Sequence, residues 1–301
     1  MEFASTDAEA TFVLRHLDPR GAYALCVAAG SRPDGRALLQ HRDVILYTNG
    51  LLSVYSSESH KDLTSNSSSK SNIGRFNDSP SLETIMIPIK ADDVISSAYA
   101  SIGSTIAICA ISVLIGEPSK AFPSQGDIEF DVAFPHICSV DYVHQRTKTE
   151  ESFEIERVLD DMIQFGKVFD LRQLLIEEGK NAFRLNTSIT FLSVDGNTSA
   201  VAIHAFLAAL KAASLPRAMA MNDKIVIDRE VLTKLVVMKD IIPISSCVYS
   251  DSVGAQIIVD PTRDEEAVMG QSALCLVDGD GDVCHFSLVR VPPHTHIPSI
   301  P

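Results

Sequence analysis

A few groups of residues in this chain have the types and spacing to do chemistry. Ser31-Arg32-Pro33-Asp34-Gly35-Arg36 is a compact turn built on Pro and Gly, with guanidinium groups on both sides of a carboxylate. Cys284 and His285, with His294 and His296 further on, are donor types that suit zinc. Their spacing fits no standard ligand pattern, and the last two lie in a Pro-rich end expected to be mobile. Asp278-Gly279-Asp280-Gly281-Asp282 alternates carboxylates as a calcium loop does. Such a loop, however, continues to a Glu at its twelfth position and is flanked by helices, whereas strand-like runs flank this one, so a hairpin turn is expected instead. His204 falls inside an apolar helical run and reads as a core or interface histidine, not a base. No metal and no cofactor is expected.

Charge narrows the partners. The chain has 301 residues, 46% of them hydrophobic, with 25 Lys+Arg against 39 Asp+Glu, a formal net charge of −14. Mean hydropathy is +0.13, which predicts a soluble chain with a sizeable core. A protein gripping nucleic acid by itself needs basic surface, because phosphate contacts dominate that affinity, so autonomous RNA or DNA binding is disfavoured. Residues 1–10 carry three acids and no Lys or Arg, the wrong composition for a secretory or transit signal. The longest apolar run, Ile106 to Gly116, is about half of what a membrane span needs, so no membrane partner is expected. Six cysteines, never in a Cys-x-x-Cys pair, read as reduced and mostly buried thiols.

The elements that must position these groups follow from periodicity. Residues 8–29 suggest one or two helical turns and a connector, broken at Asp18-Pro19-Arg20-Gly21. Val44–Tyr47 and Leu51–Tyr55 form a strand pair around Asn49-Gly50. Ten serines between Ser56 and Ser81 mark a mobile insertion, placed at 56–84, which reads either as a tolerated surface feature or as a phosphorylatable arm. Residues 97–103 and the β-branched run 105–115 predict a buried central strand, and the alternation over 128–134 predicts a strand with one wet face. Helices are expected over 150–170, over 171–177 and, apolar nearly all round, over 199–213. Strands are expected at 183–194, 224–227, 247–249, 256–259, 272–277 and 283–289. The chain divides into an N-terminal helix and connector, 1–30, a domain over 31–290 interrupted by the insertion, and a Pro-rich tail, 291–301.

Taken in order, several pieces resemble one family. They are Arg32-Pro33-Asp34-Gly35-Arg36 after an N-terminal helix, Ser97-Ala98-Tyr99 before a hydrophobic strand, Asp195-Gly196-Asn197 opening an Ala-rich helix, and Ile258-Val259-Asp260-Pro261-Thr262 followed by Asp264-Glu265-Glu266. The chain resembles the RNase PH-type subunits of the eukaryotic RNA exosome ring over roughly residues 10–288, and within that ring it is most like the non-catalytic subunits. The resemblance implies an α+β, RNase PH-like fold of two β-α-β lobes of mixed sheets with buried helices. It also implies partners among the other RNase PH-type ring subunits and the cap subunits, RNA met only through the ring channel, and a location in the nucleus, including the nucleolus, and the cytoplasm. The motif residues Arg32, Asp34, Gly35, Arg36, Asp195, Gly196, Asp260, Pro261 and Thr262 are then expected to be structural.

The resemblance also shows what is altered. Active relatives carry an arginine just after the Gly-Thr that opens the buried helix; here the residues are Gly196-Asn197-Thr198-Ser199, without the phosphate-binding guanidinium. Where active relatives carry Asp-x-x-x-x-Glu-Asp, this chain keeps Asp260 but ends in Glu266. Between Lys120 and Asp160 there are four basic and nine acidic residues, and between Asp260 and His285 one basic and seven acidic, so RNA phosphates would be repelled there. Asp260 and Glu266 therefore read as structural caps or surface charge, and an inert subunit of a 3′ to 5′ exoribonuclease complex is expected. The alternative is an active phosphate-dependent 3′ to 5′ exoribonuclease using those two acids. For Arg32, Asp34 and Arg36, pairing with one another and with a neighbouring strand or subunit competes with contact to RNA passing through the ring.

Overall fold

A computed structural model describes residues 18–49, 94–138, 142, 148–165, 167–221, 224–250, 255–269 and 271–290. Gly50 of the Asn49-Gly50 turn with the second strand Leu51–Tyr55, the Ser-rich insertion 56–84 and the tail 291–301 with His294 and His296 lie outside the described residues.

The chain enters through α1, Pro19–Ala28. Asp18-Pro19-Arg20-Gly21, expected to break the helix, instead starts it. The Asp18 carboxylate accepts from the Gly21 amide at 3.0 Å, and Pro19 takes the first-turn position where a missing N–H costs nothing.

Five strands with a short sixth then form the first sheet: β1 (Val44–Thr48), β2 (Val94–Ile102), β3 (Thr105–Gly116), β4 (Asp127–Ala133), β5 (Leu175–Glu177) and β6 (Asn181–Ser193). Their order is β1-β2-β3-β6-β4, with β5 on β6. Only β4 runs parallel to its neighbour, so a crossover must join β4 to β6. That crossover holds α2, Glu150–Gln164, whose Ile155, Val158, Leu159 and Met162 are buried at helical spacing. Thr149 caps it, accepting from the Ser152 amide.

Residues 171–177, expected as a helix, are not one. Asp170 accepts from the Arg172 amide and starts a single 3-10 turn, Leu171–Leu174, after which β5 pairs with β6. The sheet takes these residues because Gly179, at φ +73°, turns the chain back on itself at once.

Helix α3, Thr198–Ala212, is the centre of the molecule. Ala200, Val201, Ile203, Phe206 and Leu210 are all fully buried, since sheet lies on both sides of it. One side is the first sheet; the other is the antiparallel sheet β10-β9-β11-β12, built from β9 (Ile241–Ser250), β10 (Ala255–Val259), β11 (Gln271–Asp278) and β12 (Val283–Arg290). The Asp278–Asp282 run is the expected hairpin between β11 and β12. The Asp278 carboxylate accepts from the Asp280 and Asp282 amides, as a turn requires, and bonds the Lys239 ammonium. Two elements went unforeseen. β7 (Ser214–Met221) pairs with β8 (Lys224–Lys234), its Pro216 accommodated at a register shift. Helix α4, Arg263–Met269, is one short helix with Asp264, Glu265 and Glu266 in its first turn.

Candidate functional site

The Arg-Pro-Asp-Gly-Arg turn lies where β10 ends and α4 begins. Arg32 is buried, 3% exposed, and its guanidinium is fully used. Nε donates to Glu265 Oε1 at 2.9 Å, Nη2 to Glu265 Oε2 and to the Asp260 carbonyl, and Nη1 to the Val259 carbonyl at 2.7 Å. The Glu265 carboxylate also accepts from the Thr262 amide, which fixes the first turn of α4. Arg36 bonds Asp34 through Nε at 2.6 Å and Asp260 through Nη1 at 2.9 Å. Arg32 is thus committed to the protein itself, as are Nε and Nη1 of Arg36, whose buried Nη2 has no hydrogen-bond partner among the described residues.

Asp260 is the node of the site. It is fully buried, so of the two expectations for it, structural cap or surface charge, the second fails: the strand end of β10 carries it inward at φ +52°, a conformation Asp tolerates. Its carboxylate accepts from Arg36, from Arg42 Nε and Nη2 at 2.8 and 2.9 Å, from the Arg42 amide, and from Asn197 Nδ2 at 2.7 Å. Burial alone would raise its pKa; these donors, Arg42 foremost, overcome that and hold it at about 2. Arg42 also bonds Asp195 at 3.0 Å. Sequence reading missed Arg42. Its only signal was a third arginine in the same loop, since its partners lie 153 and 218 residues away.

Asp195-Gly196-Asn197 leads into α3. Gly196 is demanded by geometry: at φ +76° a Cβ would sit 2.6 Å from the Pro261 carbonyl oxygen and the Arg263 nitrogen. The two motifs are packed backbone to backbone. Thr105 ties the turn to β3, accepting from the Asp195 amide and donating to the Gly196 carbonyl.

The N-terminus of α3 is occupied by the chain's own acids. The Asn197 amide donates to Glu266 at 2.9 Å, and the Thr198 hydroxyl donates to Glu151 at 2.6 Å. Glu151 also accepts from the Tyr142 hydroxyl, over whose ring Arg263 lies. Burial, reinforced by the neighbouring Glu151 charge, pushes Glu266 up to about 8, so it holds a proton at neutral pH. Between the ordinary carboxylate range and that value the folded chain carries a proton that the unfolded chain has released. Stability should therefore fall as pH rises from about 4.5 to about 8, by at most roughly 1.4 kcal/mol per pH unit from this group. Thermal unfolding across that window should show the decline, and Glu266→Gln should flatten it; an equal slope in the variant would mean that other groups cause it.

The remaining candidates are scattered. His204 is half-buried on α3, away from the acids, and desolvation lowers its pKa to about 4, so it is neutral. Cys109 and Cys247 are buried with thiols pushed up by desolvation. Among the described residues there is no cluster of His, Cys, Asp or Glu suited to a metal, and no helix is long and apolar enough to cross a membrane.

Fold and site together define a two-lobed α+β protein in which a buried helix is sandwiched between sheets and an arginine–carboxylate knot joins the N-terminal turn to the second lobe. Residues 53–216, more than half of the chain, match the RNase PH family, described as the 3′ exoribonuclease family, domain 1, and the chain belongs to that family. It is similar to the exosome complex component Rrp42 of Methanothermobacter thermautotrophicus, 29% identical over 188 residues that make up 62% of this chain and 68% of the relative. The same component from Archaeoglobus fulgidus is 29% identical over 200 residues, 66% of this chain and 72% of that one. In fold it is similar to a chain of the Archaeoglobus fulgidus exosome with RNA bound to the active site, with a TM-score of 0.66 at 22% identity, covering 90% of this chain and 86% of the other. The RNase PH-like α+β fold implied by the motifs is thus the fold found.

Proposed function

We propose that this chain is a non-catalytic structural subunit of an RNA exosome ring, helping to form the channel through which RNA reaches a 3′ to 5′ nuclease carried by another subunit. One observation carries the reading: the groups that would have to face phosphate and RNA are spent on each other. Asp260 is neutralised by Arg36 and Arg42, Arg32 by Glu265, and the amide at the start of α3 is bonded to Glu266. At the start of this helix the Asn197 amide is already bonded to the protonated Glu266 and the Thr198 hydroxyl to Glu151, so an incoming phosphate finds those donors taken and meets the Glu151 charge beside them.

Membership of a ring is supported by the relatives, which are exosome complex components, and by the fold shared with an exosome chain. Its partners are accordingly other RNase PH-type ring subunits and cap subunits, with RNA met in the assembled channel. The finer position rests on motif resemblance: Asp131-Val132-Ala133-Phe134-Pro135-His136-Ile137-Cys138-Ser139 and the Asp-Pro-Thr element look most like the type called exosome component eight. A role in ribosomal RNA processing and a location in nucleus, nucleolus and cytoplasm belong to the same proposal.

The test is enzymatic and physical at once. The isolated chain, given single-stranded RNA, inorganic phosphate and magnesium, should release no nucleoside diphosphate, and co-expressed RNase PH-type partners should co-elute with it. Phosphate-dependent release that Glu266→Gln abolishes would establish the active exoribonuclease instead; a stable monomer indifferent to the partners would count against the ring.

A further inference from the structure

The sheet β10-β9-β11-β12 packs one face on α3 and, among the described residues, leaves the other open. Alternation along β11 sends Leu274 and Leu276 inward, where they are buried, and Ala273 and Cys275 outward. Register places large apolar side chains on both sides of that small-residue row. Cys275 stands opposite Phe286 on β12 and Ile244 on β9, Ala273 opposite Leu288, and Val277 opposite Ile242. Phe286 is 61% and Leu288 69% exposed, with Ile242 at 54%. The outer face is therefore a trough: a floor of Ala273 and Cys275 along β11, with ridges on the two flanking strands. Two strand spacings separate the ridges, about 9.5 Å, close to the diameter of an α-helix with its side chains, ~10 Å. One end of the trough is negative, because the hairpin that joins β11 to β12 exposes Asp280 and Asp282 there.

We propose that this trough receives an amphipathic α-helix from another polypeptide chain, its apolar stripe along β11 and its N-terminal end over Asp280 and Asp282. A helix fits where a second sheet does not: flat sheet packing would leave the small-residue floor empty, whereas one cylinder fills it and touches both ridges. The polarity follows from charge, since the positive end of a helix dipole, or a Lys near it, is drawn to the two carboxylates. Contiguous exposed apolar surface of this kind marks an interaction site. The inference rests on the ring reading above for the source of the helix, and it identifies the face by which a partner chain is held.

Cys275 supplies the probe. Of the six cysteines, Cys109, Cys138 and Cys247 are buried, so a Cys26→Ser, Cys284→Ser chain leaves Cys275 as the accessible thiol. An 18-residue peptide with leucines at i, i+3, i+4 and i+7 and a Lys-bearing N-terminus should slow maleimide labelling of Cys275 at least tenfold, whereas a scrambled peptide should not. Phe286→Asp should restore the rate, and the full chain in a co-expressed assembly should show the same protection. Unchanged labelling with the peptide, protection by rising concentration of the chain alone, or cross-links from Cys275 recurring at every second partner residue would each overturn the proposal. An assembly that forms while Cys275 labels at full rate would sink the trough and leave the ring reading standing; peptide protection without any assembly would do the reverse.

Discussion

Replacing Arg32 by Met is expected to cost about 3–5 kcal/mol of stability, the range seen when one partner of a buried ion pair is removed. The Glu265 side chain is 1% exposed and would be left charged without its counter-ion, and the Val259 and Asp260 carbonyls would lose their donors. Arg32→Lys should recover little, because one ammonium cannot reproduce a fork that bonds a carboxylate and two carbonyls together. Removing both charges, Arg32→Met with Glu265→Leu, should be less harmful than either single change, since desolvation of the pair is then no longer required. Urea unfolding measures all four chains. A loss below 1 kcal/mol for Arg32→Met would mean the pair behaves like a surface one.

Asp260→Asn should be comparably severe, again about 3–5 kcal/mol, because it leaves the Arg36 and Arg42 guanidinium groups facing each other without the carboxylate between them. The same residue sets an acid limit. Its folded pKa, about 2, lies below the unfolded value near 3.8, so its contribution is complete above that value and is lost as pH falls through the interval. The gap in urea midpoint between the wild-type and Asp260→Asn chains should narrow between pH 6 and pH 3, by the equivalent of about 1 kcal/mol, without closing, because the folded carboxylate is still mostly ionised at pH 3. A gap that stays constant with pH would show that packing, not charge, is what the aspartate supplies.

Much of the fold could be anticipated from local pattern. β3 is legible in its β-branched run, β4 in its alternation, and α3 in an apolar run too even for a surface helix. Failures fell where distant partners outvote local preference. Leu175-Ile176-Glu177 looks helical, yet β6 offers it a ladder. Pro216 hides β7, which tolerates it only at a register shift. In the site, the turn at Arg32 and the acids at Asp260 and Glu266 are visible as motifs, but local pattern does not decide between a structural cap and surface charge for Asp260. Nothing near residue 42 reveals that its guanidinium closes on residue 260, where it joins Arg36 and Asn197 around the buried acid.

The knot also has a history in time. Its basic half, Arg32, Arg36 and Arg42, is made early in synthesis, and its acidic half, Asp260 and Glu265, some 220 residues later. At roughly 5–20 residues per second on the ribosome, the nascent chain spends at least ten seconds with that loop unanswered. Contacts of such high sequence separation form late and slowly. The first sheet can be assembled while the loop waits, but α3 gains its second cover only when β9 to β12 arrive, and docking of the loop on the β10 end then seals the two lobes in one closing step. A chain interrupted before β9 lacks that seal, and exposes the apolar back of α3 together with Arg32, whose carboxylate partner has not yet been made, while Arg36 and Arg42 keep only Asp34 and Asp195.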